Sequence, residues 1–299
     1  MEVQFFDLRW PDPTCVEVQV HNSDRLGRKQ FRFGDSFSFE IKDETTKCVG
    51  SMIDNVWHPC QYQTIGYARC KPCKSREGTF IYTMFDGFNT DMFNQDDMAK
   101  IAGPHVVYLA LFEDSIMKVG VSGLGRKELR QVEQGSFSTL YIAQTEDGTQ
   151  ARQIETLIRK SGIQDKIRSS QKKDLVITTI TPEEAEKQLQ ELYASCKSTL
   201  DEYPKLKTLL LEKPEYKNWE TTYATDALKT KDQRLHSVKL QEGDAISGTL
   251  VAARGPFLVI DTGEEHLSIC MKDYIGKTLL FEAKAPGLYT KKAFQNSLF

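Results

Sequence analysis

Four of the seven cysteines fall within 26 residues, and no other feature restricts the fold of this chain so tightly. Cys48 lies twelve residues before Cys60, and the stretch ends in Cys70-Lys-Pro-Cys73. The two-residue spacing of the last pair lets both sulfurs reach one ion from a tight turn, with Pro72 fixing the backbone between them. Four thiolates suit tetrahedral Zn²⁺, which tolerates soft ligands and imposes no geometry of its own. Val49-Gly50 after the first cysteine and Pro72 inside the last pair are the turn residues such knuckles need. A redox Cys-x-x-Cys pair, or unrelated buried thiols, would explain fewer of the four. Zinc on Cys48, Cys60, Cys70 and Cys73 is therefore expected, in a structural ribbon, with His58 as the reserve ligand. A closed four-ligand site supports folding and leaves no open position for substrate.

The remaining cysteines (Cys15, Cys196 and Cys270) are scattered singly, as reduced thiols are, which argues against a disulfide scaffold. The formal net charge of −3 gives no global basic excess, so any nucleic-acid contact has to be a local patch. No apolar run approaches the roughly 20 residues of a membrane span. Met1 to Asp7 lack the basic start and apolar stretch of a signal peptide. A soluble, cytoplasmic protein without membrane partners is expected.

An α+β chain in four parts is predicted. Residues 1–102 form a β-rich region containing the four-cysteine zinc ribbon. Val16-Glu-Val-Gln-Val20 and Phe37-Ser-Phe39-Glu-Ile41 alternate as half-buried strands. Gly103-Pro104 marks a boundary, and residues 103–200 form an α/β module. Its strands are His105–Phe112 and Ile116–Val121, joined as a hairpin, and Leu140–Ala143. Its helices cover 126–134, 149–160 and 182–200, the last behind the N-cap candidate Thr181. Residues 201–235 contain Pro204 and Pro214 and read as a linker. Five short apolar runs in residues 236–299 predict a small β-barrel.

The middle module resembles the GIY-YIG nuclease superfamily. Val106-Val-Tyr108 matches the triplet of the first strand, and Lys118-Val-Gly120 occupies the place of the second, with Lys118 where the superfamily has its second Tyr. Arg126 and Arg130 lie where its helical Arg is expected, and Glu155 where its metal-binding Glu is expected. The chain as a whole is also similar to an uncharacterised family of bacterial and archaeal proteins. Its members pair a multi-cysteine N-terminal region with segments like His105-Val-Val-Tyr-Leu-Ala110, Lys118-Val-Gly-Val121 and Arg130-Gln-Val-Glu-Gln-Gly135. The nuclease resemblance implies a catalytic set of Tyr108, Lys118, Arg126, Arg130 and Glu155. Phosphodiester hydrolysis needs a metal on the phosphate, a base for water and a cation for the developing charge. Glu155 would hold Mg²⁺ or Mn²⁺, Tyr108 or Lys118 would handle the proton, and Arg126 or Arg130 would neutralise the phosphoryl oxygens. Each has an ordinary alternative: a core Tyr, a solvated Lys, a Glu paired with Arg152 or Arg159 on its own helix.

Residues 151–173 carry Arg152, Arg159, Lys160, Lys166, Arg168, Lys172 and Lys173 against Glu155 and Asp165. Such an excess suits phosphate contacts without sequence readout. The expected function is action on DNA or RNA, extending to a divalent-metal-dependent endonuclease. The alternatives are a non-catalytic, zinc-containing nucleic-acid-binding protein and a protein–protein adaptor.

Overall fold

The computed structural model describes residues 2–12, 14–22, 25–78, 80–172, 175–229 and 235–281. In chain order it opens with β1 (Glu2–Asp12), β2 (Cys15–His21), β3 (Leu26–Arg32) and β4 (Ser36–Asp43). The short strands β5 (Ser51–Ile53) and β6 (Val56–His58) precede the helices α1 (Lys71–Glu77), α2 (Phe80–Met84) and α3 (Gln95–Ala99). The middle contains β7 (His105–Glu113), β8 (Ile116–Gly123), α4 (Lys127–Gln134), β9 (Ser138–Thr145), α5 (Gly148–Lys160) and α6 (Ser169–Lys172). Then come α7 (Pro182–Thr199), α8 (Pro204–Lys207), β10 (Leu210–Asn218) and α9 (Glu220–Tyr223). The last strands are β11 (Leu235–Val238), β12 (Ala245–Arg254), β13 (Phe257–Asp261), β14 (His266–Cys270) and β15 (Thr278–Phe281). The protein is α+β and mostly sheet.

The chain divides into two compact units, one of Met1–Glu77 with Thr230–Phe299 and one of Gly78–Lys229. The first is built on a nine-stranded sheet in the order β11-β14-β13-β12-β4-β15-β1-β2-β3. All five expected C-terminal strands form, but they build no barrel of their own. β4 lies between β12 and β15, with Phe39 opposite both Ile246 and Phe281, and β15 continues onto β1 through Val3 and Leu279. Where the sequence separates 1–102 from 236–299, strands of both share one sheet. Among the described residues no pairing joins β3 to β11, so the sheet is open. The alternation of Phe37, Phe39 and Ile41 is real, and all three are fully buried. Phe37 and Phe39 join Phe31, Tyr274 and Phe281 in an aromatic core with centroids 4.8–6.2 Å apart.

The second unit has a four-stranded sheet in the order β10-β9-β7-β8, with β7–β8 the expected hairpin. Helix α4 ends on Gly135, whose φ of +77° permits the left-handed cap. Asp147 caps α5 by accepting from Gln150 N, and Thr181 with Glu184 forms a capping box at α7. Val107, Leu109 and Leu111 pack with Ile154, Leu157 and Leu189 on one face. Val106, Tyr108, Ala110 and Phe112 build a separate core with Tyr141 on the other. Both faces of β7 are covered, which explains its nearly unbroken apolar run.

Two boundaries differ from expectation. Residues 80–102 belong with the second unit: Ile81, Phe85 and Ile101 form a small core, and Gly148 N donates to Ile101 O at 2.7 Å. The expected linker 201–235 contributes β10, antiparallel to β9 from Glu215–Tyr141 to Asn218–Ser138. Pro214 sits inside the register shift between Leu210 and Glu215 of this edge strand, where a missing N–H is tolerated.

Gly120 faces Tyr108 across β7 and β8. A Cβ at Gly120 would lie 2.6 Å from the Tyr108 hydroxyl oxygen, so the ring needs a glycine beneath it. Gly120→Ala should destabilise the second unit by about 1–3 kcal/mol, the usual cost of overpacking, measured by chemical denaturation. A neutral effect would show that Tyr108 moves freely.

Candidate functional site

The four sequence-predicted cysteines converge. Their sulfurs all lie within 4.8 Å of one another, and the Cys60 and Cys70 sulfurs are 3.8 Å apart. A tetrahedron with about 2.3 Å metal–sulfur bonds has sulfur–sulfur edges of about 3.8 Å. These residues could hold a metal ion such as zinc. His58 is not part of the cluster; it lies in β6, opposite Ser51.

A β-hairpin brings the cysteines together. Cys48 precedes β5 and Cys60 follows β6, while Asp54 and Asn55 make the two-residue loop, both at positive φ (47° and 63°). Cys70 immediately precedes α1, which places Cys73 in its first turn. Gly50 closes the base of the hairpin: its φ is +86°, and a Cβ there would meet His58 O at 2.2 Å and Cys60 N at 3.2 Å. The element is anchored to its own unit. Glu77 pairs with Arg69 at 3.2 Å and accepts from Met52 N at 2.8 Å, while Lys47 N donates to Gly276 O.

Backbone amides point at the sulfurs. Cys70 N donates to the Cys48 sulfur at 3.2 Å. Burial drives the Cys60 thiol upward, but the amides of Thr64 and Tyr62 and the neighbouring sulfurs outweigh it and bring it down to about 6. Burial also opposes ionisation of Cys70, where the Cys73 amide and thiol and the Cys48 thiol win and the shift is downward. Cys48 is raised, chiefly by burial, and Cys73 is raised by burial and by the other three sulfurs. Four such groups at this distance ionise together only with a cation between them.

The residues singled out in the second unit divide. The Tyr108 hydroxyl is buried. Burial pushes this phenol up, but the charges of Lys118 and Arg130 outweigh it and the net shift is downward, with Glu155 opposing. Lys118 is itself buried, and its ammonium lies 5.9 Å from the Tyr108 ring centroid. Lys118, Arg130 and Glu155 thus act electrostatically on one hydroxyl, that of Tyr108. Arg126 does not join them: its guanidinium is exposed and bonds both Glu133 oxygens at 3.0 Å. Glu155 is buried and pairs with Arg152 at 2.5 Å, the ordinary alternative that the helix spacing allows.

The expected basic face is partly engaged elsewhere. Lys172 donates to Gln134 O at 2.6 Å and lies 4.2 Å from the Phe112 ring centroid, so it is not a solvated surface charge. Arg152 is also bonded to Tyr82 O, Arg159 meets Asp165 at 3.5 Å, and Lys160 lies over Phe88. Lys166 and Arg168 are exposed. Lys173 lies outside the described residues. Among the described residues no helix is long and apolar enough to cross a membrane.

Protein isolated without chelator should contain one tightly held metal ion per chain, and Gly50→Ala should lower that content sharply by forcing β6 away from Cys48. Elemental analysis reads both. Metal-free native protein, or full occupancy in the variant, would contradict this geometry.

No curated protein and no solved structure matches the chain. A family model described as a protein of unknown function matches residues 34–278, which include strands of both units and all four clustered cysteines. The chain therefore belongs to that family, DUF2797.

Proposed function

We propose that this protein acts on nucleic acid, with a GIY-YIG-like phosphodiester site in the second unit and a structural Zn²⁺ on Cys48, Cys60, Cys70 and Cys73. The observation that carries the reading is the Tyr108 hydroxyl, buried, opposite Gly120 and under the combined field of Lys118 and Arg130. A phenol whose pKa is lowered in this way loses its proton more readily, as a group that positions or deprotonates an attacking water must. Arg130 is exposed on α4 while its charge acts on Tyr108, and it would meet a phosphoryl oxygen arriving from solvent.

Glu155 would supply the protein's ligand to Mg²⁺ or Mn²⁺, which would polarise the phosphate. A single carboxylate is enough for an ion that keeps most of its waters. One Glu155 oxygen is bonded to Arg152, so metal binding has to compete with that pair. Lys166 and Arg168 would add phosphate contacts without reading sequence.

The Arg152–Glu155 pair also favours a second reading. If Arg152 is never displaced, the unit binds nucleic acid without cleaving it, and Lys118 in place of a second Tyr is consistent with lost chemistry.

Incubation with mixed DNA and RNA substrates in Mg²⁺ or Mn²⁺ separates the two. For an endonuclease, Glu155→Gln should abolish cleavage while leaving substrate binding intact, and Arg130→Ala should slow cleavage by about 10²–10³-fold. Arg152→Gln should lower the Mg²⁺ concentration needed for half-maximal rate. Binding without cleavage by the wild-type protein selects the second reading, and neither binding nor cleavage overturns both.

A further inference from the structure

Beside the cysteine cluster, within the first unit, lies a pocket of about 600 Å³, in the size range of small-molecule sites. Its walls include Val3, His21, Trp57, Cys60, Gln63 and Ile65. His21 is 9% exposed, and its Nδ1 lies 3.1 Å from Asn22 O. A carbonyl oxygen can only accept, so Nδ1 carries the proton and Nε2 is left as a lone-pair acceptor. That Nε2 is buried and has no partner. Burial holds the His21 pKa below its ordinary value, which keeps the ring neutral. The Trp57 ring lies 4.7 Å from the imidazole and is fixed by its own bond from Nε1 to Val49 O.

Glu2, Gln4 and Lys47 also line the pocket, and a neutral ring with an unpartnered acceptor in its wall suits a ligand offering N–H groups, not a bare phosphate or carboxylate. The chain around the pocket indicates the class of molecule that carries them. Residues 55–76 contain Arg69, Lys71, Lys74 and Arg76 and no Asp or Glu, between Asp54 and the Glu77 that pairs with Arg69, in a protein of net charge −3. With Arg69 held by Glu77, the other three cations still exceed the formal double negative charge of a dication held by four thiolates. Tyr62 and Tyr67 project from the same loop, 61% and 64% exposed. Each lies within three residues of a cysteine of the cluster, as do Lys71 and Lys74, so one small element carries rings and cations together. Exposed aromatic rings interleaved with cations form a stacking platform for single strands, on which every base has a face to offer.

We propose that the first unit binds single-stranded nucleic acid, seating one unpaired base in the His21–Trp57 pocket and stacking flanking bases on Tyr62 and Tyr67. The site is separate from the Tyr108 cluster and stands whether or not that cluster cleaves. The cysteine-bound ion would hold the rings and cations in register, which gives the structural metal a role in recognition.

The test is fluorescence anisotropy of labelled single-stranded DNA and RNA, roughly 12 nucleotides long to span such a site. It uses the full-length metal-loaded protein at low salt without added Mg²⁺. Single strands should bind more tightly than the corresponding duplex and should quench tryptophan emission in a manner lost in Trp57→Phe. Tyr62→Ala and Tyr67→Ala change exposed side chains and should each weaken binding about ten-fold with metal content unchanged. His21→Phe keeps an aromatic ring but removes the acceptor, and should weaken binding and narrow base preference. Absence of single-strand binding by the wild-type protein overturns the proposal, as does undiminished binding by the Tyr62→Ala/Tyr67→Ala double variant. Because the assay reads binding through residues of the first unit and contains no added divalent ion, its failure is distinct from a failure to cleave.

Discussion

Four sulfurs within 4.8 Å of one another are the constraint on which residues 48–77 depend. As thiolates they repel and as neutral thiols they pack poorly, so the arrangement is favourable when a cation compensates it. Every other feature of the element fits that requirement. The hairpin returns the chain to within reach, Gly50 lets its base close, and amides of Cys70, Thr64 and Tyr62 turn toward sulfur. The Arg69–Glu77 pair and the Glu77 bond to Met52 then tie α1 to β5.

The second unit is organised around a different problem, a polar hydroxyl buried inside an apolar sheet. Tyr108 can be tolerated there because Gly120 makes room for its ring and the positive charges of Lys118 and Arg130 act on its hydroxyl. Burying these groups costs free energy unless their partners are in place. With Tyr108, Lys118 and Glu155 in buried positions, the unit gives up stability that apolar residues could supply. The Arg152–Glu155 pair lowers that cost at Glu155.

Much of this was legible in the sequence, for identifiable reasons. The cysteines were found through their spacing, and β7, β8, α4, α5 and α7 through period and caps that act locally. The pairing of β4 with β12 and β15 was not, because register between strands some two hundred residues apart is set by shared burial that no local pattern encodes. Gly103-Pro104 is a true turn signal but a poor boundary signal: residues 80–102 are assigned by the packing of Ile81, Phe85 and Ile101. β10 was hidden by Pro214, which reads as a breaker until the strand is seen to be an edge with a register shift. Lys172 counted as surface charge, yet its ammonium caps the Gln134 carbonyl. His21 gave no signal at all, since a lone His in an alternating strand looks like any other, and only its unpartnered Nε2 marks it.

The dependence of residues 48–77 on a bound cation is the claim that most of the account rests on, and amide hydrogen exchange before and after metal removal tests it directly. Protection at Cys48, Val49, Gly66 and Lys74, whose amides bond within or against this element, should collapse when the metal is stripped. The β7–β9 amides of the second unit should keep theirs. Unchanged protection across residues 48–77 in metal-free protein would contradict the account, because the cysteines would then be packing without an ion to hold.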